Sequence, residues 1–289
     1  MSLLFYNEEE DNKKEESIDN YEDLFEEYTK NPPTFSESLK HMFINAKASD
    51  ELANNLVEDI KSKIKNEIID KNLNKIQEKY HNITEDDIKV ISSYTCEAFE
   101  PDYSPYRLLN KNLVSDNRKN GLSNVSKYLF ILLKTIRKLP RYYPKEKKPK
   151  VLYRCISKKV YLNYDLFNKK LIPYIVGKTK TFWGFTSTSP NPKITFDFLE
   201  KKGNIKSGTL FTLAGDVWGY DITLFNFFKE EEILLEPERK FEVEEVVPSP
   251  NDIISIRCNV KNTPLVLEDY CGEEGNEKKL QLLEVQKFQ

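Results

Sequence analysis

The segment KEEEILLEP, from Lys229 to Pro237, places three consecutive glutamates directly before an apolar run that is typical of a β-strand. Alternate residues of a strand point to the same side, so Glu230 and Glu232 are expected to share one face and Glu231 to take the other. Two neighbouring carboxylates repel each other unless a cation, or a positive charge that develops in a reaction, lies between them. The segment therefore indicates either a reaction site or a solvated acidic strand start.

Composition indicates a folded chain with a polar surface. The 289 residues are enough for one sizeable domain, or for one domain with an appendage. Aromatic residues make up 12% of the chain, which is more than a disordered chain carries. The net charge of −3 is unevenly spread, because residues 1–30 contain eleven acidic and only three basic side chains. The basic excess elsewhere is small and forms no visible stripe, so we expect no nucleic-acid partner.

The cysteines are widely spaced and form no Cys-x-x-Cys pair. They are Cys96, Cys155, Cys258 and Cys271. With two histidines in the whole chain, this spacing indicates no zinc site. It favours free thiols in a reducing compartment, with two disulfides as the alternative. The N-terminus lacks the pattern of a secretory signal, and no stretch has the length needed to span a membrane. We therefore expect no membrane partner, a monomer, and either a cytoplasmic location or delivery as an effector without a secretory signal peptide.

Helical periodicity dominates the first half of the chain and short β-type runs dominate the second. Apolar residues recur every four positions from Leu52 to Ile68, Thr84 is a predicted helix N-cap, and Ser123–Lys138 is a further predicted helix. The predicted strands are Val151–Ile156, Thr181–Thr188, Gly208–Leu213, Glu232–Leu235, Lys240–Val247 and Ile253–Val260. Helices followed by strands, with few helices between the strands, predict an α+β fold.

Polar side chains occur on three of these predicted strands, in a fixed order. Arg154 lies inside an apolar run, where an arginine needs an anionic partner. The hydroxyls of Ser187 and Ser189 share one face of the next strand and can position neighbouring polar groups. The glutamate pair described above comes third. An edge charge or an internal ion pair is the alternative explanation for the arginine.

Taken in this order, the three motifs resemble the Arg–Ser–Glu class of mono-ADP-ribosyltransferases, which includes vertebrate ecto-enzymes and bacterial toxins that modify actin or Rho. The resemblance covers roughly residues 86–265. Further matching segments are Ile91-x-x-Tyr94-Thr95, Tyr106-x-x-Leu109-Asn110, Leu210-Phe211-Thr212, Gly219–Thr223, Glu232–Pro237 and Lys240-Phe241-x-Val243. The resemblance implies the ADP-ribosyltransferase fold, an α+β fold in which N-terminal helices pack on a core of two mixed sheets.

The resemblance and the patterning together predict four parts of the chain. These are an acidic flexible tail at 1–32, a helical extension at 33–85, a catalytic domain at 86–270 and a charged tail at 271–289. The acidic tail could solubilise the chain, bind a partner or cover a basic site. The extension could be a docking or regulatory unit, or it could buttress the catalytic domain.

The resemblance implies NAD as a co-substrate and no metal. Arg154 would hold the NAD diphosphate, with Cys155 beside it, since a guanidinium is a planar and permanently charged donor. Ser187 would orient the catalytic glutamate. The other residues implied to line NAD are Thr188, Ser189, Lys201 and Phe198, with Phe196 as the competitor of Phe198. Lys201 is equally well explained as a surface lysine.

The two glutamates of the Glu-x-Glu pair would have different roles in such an enzyme. Breaking the bond between nicotinamide and ribose builds positive charge on the ribose, as in glycoside cleavage. Glu232 would be the catalytic residue that stabilises this charge near the ribose 2′-hydroxyl. Glu230 would orient the acceptor guanidinium and accept its proton. In this family, Glu at that position goes with arginine acceptors and Gln with other acceptors.

The loop before the pair, Thr223–Lys229, would contact the target protein, which carries the exposed acceptor arginine. Its aromatic residues Phe225, Phe227 and Phe228 are candidate docking contacts, with core packing as the alternative. The sequence thus favours an arginine-specific mono-ADP-ribosyltransferase. The alternatives are an NAD glycohydrolase, in which water takes the ribose, and a catalytically silent NAD-binding interaction module.

Overall fold

The computed structural model describes residues 17–115, 117–144, 150–156, 174–194, 208–228, 230–249 and 253–268. The chain divides into two compact units. The described residues of the helical unit come from Glu15–Pro140, Leu224–Lys229 and Pro264–Gln289. Those of the sheet unit come from Arg141–Thr223 and Glu230–Thr263.

The described part of the helical unit contains seven α-helices. They are α1 Glu26–Lys30, α2 Phe35–Asn45, α3 Asp50–Ile64, α4 Asp70–Lys79, α5 Glu85–Thr95, α6 Pro105–Leu113 and α7 Arg118–Ile136. The predicted N-cap Thr84 is confirmed, because its side chain and that of Asp87 form a capping box at the start of α5. Thr34 and Glu37 form an equivalent box at the start of α2. No helix in the described ranges is long and apolar enough to cross a membrane.

A π-helical turn, Lys65–Ile69, joins α3 to α4 and explains the apolar repeat of four residues. Four residues advance about 40° more than one full α-helical turn, so such a repeat drifts around a regular helix. The wider π turn takes up an additional residue and limits this drift. Ile64, Ile68, Ile76 and Tyr80 are accordingly all buried.

The predicted flexible tail, residues 1–32, is helical where the structure describes it. A 3₁₀ helix spans Ile18–Leu24 and is followed by α1. Phe25 has no exposed surface, and Asp19 Oδ1 accepts a hydrogen bond from the Leu267 N–H at 2.6 Å. Apolar burial and this hydrogen bond therefore fix residues that an acidic composition alone assigns to a tail.

The sheet unit contains two β-sheets. A four-stranded antiparallel sheet has the order β1-β6-β7-β4, and a five-stranded mixed sheet has the order β2-β5-β9-β8-β3 with β5 and β9 parallel. The strands are β1 Arg141–Tyr142, β2 Leu152–Ile156, β3 Thr179–Phe182, β4 Thr186–Thr188, β5 Gly208–Gly215, β6 Gly219–Asp221, β7 Ile233–Leu235, β8 Arg239–Ser249 and β9 Ile253–Val260. Helices together with two sheets confirm the predicted α+β fold.

One apolar cluster is shared by the two sheets. It contains Leu152 and Phe211 from the five-stranded sheet and Ile233 and Leu235 from the four-stranded sheet. The predicted strand Thr181–Thr188 is wrong as a single element, because its first half forms β3 in one sheet and its second half forms β4 in the other. Because the second half forms β4, which pairs with β7, the serine motif lies beside β7.

Candidate active site

The pairing of β4 with β7 places the serine motif beside the glutamates. Ser187 lies opposite Leu234 and Thr188 lies opposite Ile233. Thr188 Oγ1 donates a hydrogen bond of 2.6 Å to the Ile233 carbonyl and so fastens the two strands. The Ser187 side chain hydrogen-bonds the carboxylate of Glu232, the residue directly before β7.

Arg154 reaches the same place from the other sheet. β2 meets β4 through a bridge in which Tyr153 and Ser189 exchange two backbone hydrogen bonds of 2.8 Å. Arg154 is half-buried, and its Nη1 donates to the Ser187 carbonyl at 3.1 Å. Its positive charge also favours the ionised form of Glu232. The three motifs that are separated in the sequence are therefore brought together.

Glu232 is a buried carboxylic acid with only 3% of its surface exposed. Removal from water raises its pKa to about 7, and the negative charge of Glu230 adds to this increase. The Ser187 hydrogen bond and the Arg154 charge act in the opposite direction. Near neutral pH both protonation states are populated, as is typical of carboxyl groups at functional sites.

The backbone N–H and carbonyl of Glu232 both form hydrogen bonds with the end of the Gly219–Thr223 segment. The Ile222 N–H donates to the Glu232 carbonyl at 3.0 Å, and the Glu232 N–H donates to Thr223 Oγ1 at 3.1 Å. Thr223 is itself oriented, because its N–H donates to Asp221 Oδ1 at 3.1 Å. From its sequence position, Thr223 was expected only at the start of the loop that would contact the target protein, and its bond to Glu232 was not predicted. The available signal was its position at the end of the matching Gly219–Thr223 segment.

The three glutamates differ in exposure. Glu230 is half-buried, Glu231 is exposed and Glu232 is buried. They precede β7 rather than lie in it, yet their burial alternates as expected for an extended segment. Glu236, the residue directly after β7, is buried and accepts a hydrogen bond of 3.0 Å from the Tyr220 hydroxyl.

The three aromatic residues predicted to contact the target protein also differ in exposure. They belong to the helical unit. Phe225 has no exposed surface and stacks on Tyr80, with ring centroids 5.9 Å apart. Phe227 is half-buried, whereas Phe228 keeps 36% of its surface exposed. Asn226 Oδ1 accepts the Phe228 N–H at 2.7 Å and forms a local turn. Phe225 therefore serves packing, and Phe228 stays a candidate docking residue.

The other predicted NAD-lining residues are less informative. Cys155 points to the opposite side of β2 from Arg154, and its buried thiol packs with Leu210. Burial raises the pKa of this thiol to about 12. Ser189 Oγ accepts the Asn191 N–H at 3.1 Å. Phe196, Phe198 and Lys201 lie outside the described residues.

No protein-family model matches the chain, and no curated protein matches it either. Solved structures with a similar fold include the Vis toxin, an ADP-ribosyltransferase from Vibrio splendidus, with 22% identity over 76% of this chain and 89% of that chain and a TM-score of 0.45. They also include the ADP-ribosyltransferase HopU1 of Pseudomonas syringae pv. tomato, with 17% identity over 68% and 87% and a TM-score of 0.48. A third is the type III effector XopAI from Xanthomonas axonopodis pv. citri, with 13% identity over 83% and 88% and a TM-score of 0.49. ADP-ribosyltransferases, a toxin among them, are thus among the solved structures that this chain resembles.

Proposed function

We propose that the chain is a mono-ADP-ribosyltransferase that cleaves NAD, releases nicotinamide and transfers ADP-ribose to arginine side chains of a target protein. The observation that carries this proposal is the environment of Glu232. Its buried carboxylate is hydrogen-bonded by Ser187, lies in the field of Arg154 and has a second carboxylate, Glu230, two residues before it. Delivery of the chain into another cell as an effector stays a prediction.

Arg154 suits the diphosphate of NAD. A guanidinium is charged at every physiological pH and offers several coplanar N–H donors, which match phosphate oxygens. The bond from Nη1 to the Ser187 carbonyl fixes the plane of the group. The positive charge would also lower the cost of ionising Glu232 when the substrate is bound.

Glu232 suits the bond-breaking step. The bond between ribose C1′ and the nicotinamide nitrogen breaks, and its electron pair stays with nicotinamide, whose ring thereby loses its positive charge. The ribose acquires oxocarbenium character. The ionised Glu232, oriented by Ser187, stabilises this charge near the 2′-hydroxyl as it develops.

Glu230 suits the transfer step. The acceptor guanidinium is protonated and is a poor nucleophile until it is oriented and loses a proton. A new bond forms between a guanidine nitrogen and ribose C1′, and Glu230 accepts the proton. Glu230 is half-buried, so it combines a fixed position with access from solvent.

Substitution of each glutamate tests these roles separately. We expect Glu230→Gln to reduce transfer from labelled NAD to agmatine, a small guanidino acceptor, by about a hundredfold or more while NAD cleavage continues. Glu232→Gln removes both reactions. Glu231→Gln is the matched control, because it makes the same chemical change at an exposed neighbour and is expected to retain both rates.

The same assay separates the alternatives. Label on the acceptor supports the transferase, and label only in free ADP-ribose supports the NAD glycohydrolase. A chain that binds NAD without turnover would be the silent module. If Glu230→Gln left arginine modification unchanged, the assignment of the acceptor class would be wrong. Mass spectrometry of a lysate after incubation with NAD would then map the acceptor residue.

A further inference from the structure

The segment Leu224–Phe228, called here the acceptor loop, is fastened to α4. Asn72 Nδ2 donates a hydrogen bond of 3.1 Å to the Leu224 carbonyl. Tyr80, directly after α4, stacks on Phe225 with an angle of 27° between the ring planes, and both rings are buried. The first two residues of the loop therefore contact the helical extension, residues 33–85.

A third anchor comes from the end of α5. Thr95 Oγ1 accepts the Phe227 N–H at 3.4 Å, and its single proton is shared between the Ser92 carbonyl at 3.1 Å and the Phe225 carbonyl at 3.3 Å. Thr95 is buried, so these bonds are shielded from water. Three backbone groups of the loop thus lie within hydrogen-bonding distance of side chains of two helices.

The π turn Lys65–Ile69 contributes to this arrangement. One α-helical residue corresponds to a rotation of about 100°, so the additional residue in the π turn rotates every later side chain of α4 by about that angle. Asn72 is the middle position of the four-residue repeat between Ile68 and Ile76, which are both buried. We infer that a regular helix of the same sequence would not place the Asn72 amide in the same direction.

We propose that Asn72, Tyr80 and Thr95 are positioning residues for the acceptor: they fix the loop that leads into Glu230 and thereby set how efficiently an arginine captures ADP-ribose. This inference rests on the function proposed above. It gives the helical extension a role in acceptor selection, where the sequence left open docking, regulation or simple buttressing.

The two carboxylates differ in how the neighbouring backbone is anchored, which gives the inference a specific signature. Glu232 takes its backbone hydrogen bonds from Ile222 and Thr223 in the sheet unit. Glu230 follows the loop that is fastened to the helices. Release of the loop should therefore change the division of ADP-ribose between water and arginine, rather than the cleavage of NAD itself.

Substitution of Asn72 tests this with a matched control. Asn72→Leu removes the amide donor at similar volume. We expect the ratio of agmatine modification to NAD hydrolysis to fall about threefold to tenfold, as for the loss of one hydrogen bond. Asn45→Leu makes the same change at another half-buried amide, which donates to the Asn124 carbonyl at 3.2 Å, and is expected to keep the ratio.

Tyr80 provides a second pair of variants. Tyr80→Leu removes the stack on Phe225 and is expected to lower the ratio, whereas Tyr80→Phe retains the ring and should restore it. Hydrogen exchange of the peptide that contains Phe227 supplies a readout that needs no activity. Exchange there should become faster in Asn72→Leu and Tyr80→Leu, but not in Asn45→Leu.

The outcomes are distinguishable. If the parent chain modifies agmatine and Asn72→Leu or Tyr80→Leu lowers transfer and hydrolysis equally, the anchors are structural only and the inference is wrong. Unchanged ratios and unchanged exchange overturn it as well. If the parent chain hydrolyses NAD but never modifies agmatine, the proposed acceptor class fails first, and the positioning role falls with it.

Discussion

Burial favours the protonated form of Glu232, whereas the proposed chemistry uses the ionised form. Removal from water raises its pKa to about 7, whereas the proposed stabilisation of a ribose cation would require the ionised form. The Ser187 hydrogen bond and the Arg154 charge lower the pKa and reduce this conflict. These neighbours therefore act on the protonation state of Glu232 as well as on its orientation.

Removal of the Ser187 hydroxyl should change the pH dependence of the reaction. The hydroxyl favours the charged carboxylate, so Ser187→Ala raises the pKa of Glu232 further. We expect the rise of kcat/KM for NAD hydrolysis with pH to move to higher pH, with a loss of about tenfold or more at pH 7. Initial rates between pH 5.5 and pH 9 measure this shift.

A buried serine outside the site provides the control. Ser93 has no exposed surface and its hydroxyl lies 2.8 Å from that of Tyr128 in the helical unit. Ser93→Ala should lower stability while the pH profile stays in place. An unchanged profile in Ser187→Ala would contradict the assigned hydrogen bond.

The same pKa predicts how stability depends on pH. The folded chain holds the Glu232 proton more tightly than the unfolded chain, in which the pKa is near the ordinary value of 4.5. The contribution of Glu232 to stability is therefore fully present below pH 4.5 and is lost as the pH rises from 4.5 to about 7. A shift of this size corresponds to on the order of 3 kcal/mol.

Glu232→Gln should remove this loss, because a neutral amide has no proton to release. We expect its free energy of unfolding to match the parent near pH 4 and to exceed it at pH 8. Urea unfolding at the two pH values measures the difference. An equal difference between variant and parent at both pH values would contradict the raised pKa of Glu232.

At the scale of the element, the approach of β6 to β7 decides where Glu232 lies. A Cβ on Gly219 would come within 2.7 Å of the Leu234 carbonyl oxygen and 2.9 Å of Ile233 Cγ2. Only glycine allows this separation of the strands. The strands are joined by a loop whose two ends are closed through Ile222 and Thr223.

Substitution of Thr223 tests this closure. Thr223→Val keeps the shape of the side chain but removes the oxygen that accepts the Glu232 N–H. We expect kcat for NAD hydrolysis to fall about threefold to tenfold, with KM for NAD changed less, because Glu232 loses its fixed position. Thr223→Ser retains the oxygen and should recover most of the rate. Equal losses in both variants would indicate a packing effect.

At the scale of the whole molecule, the chain begins and ends its described course in the helical unit. Asp19, near the start, accepts a hydrogen bond from Leu267, and Arg137 Nη2 donates to the Val266 carbonyl at 2.6 Å. Val266 and Leu267 are buried, with 3% and 2% of their surfaces exposed. The segment after β9 therefore completes the core of this unit.

Truncation tests this role. A chain that ends at Thr263 loses the buried side chains of Val266 and Leu267, and we expect a loss of about 3–6 kcal/mol from their burial. A chain that ends at Glu268 keeps these contacts and should unfold at a higher temperature than the chain that ends at Thr263. Thermal unfolding followed by circular dichroism compares the two chains. A similar transition in both would show that the segment adds no stability.

The sequence predicted the α+β fold, the capping of α5 by Thr84 and the order of the arginine, serine and glutamate motifs, because each depends on local pattern or on resemblance. It did not predict that Thr181–Thr188 divides between two sheets, since both halves have the same β-type composition. Nor did it predict Asn72 as a partner of Leu224. A lone asparagine on a helix has no local signal, and the contact spans 152 positions of the chain.

The residue types of the site can be read from the sequence: an arginine and hydroxyl side chains on short apolar strands, and a Glu-x-Glu pair directly before another. Tertiary structure alone decided their chemistry. The pKa of Glu232 depends on removal from water and on Ser187 and Arg154, which come from other strands. Burial of Phe225 likewise depends on the distant ring of Tyr80. Local sequence cannot encode either effect, because desolvation and electrostatic interaction depend on distances in space rather than along the chain.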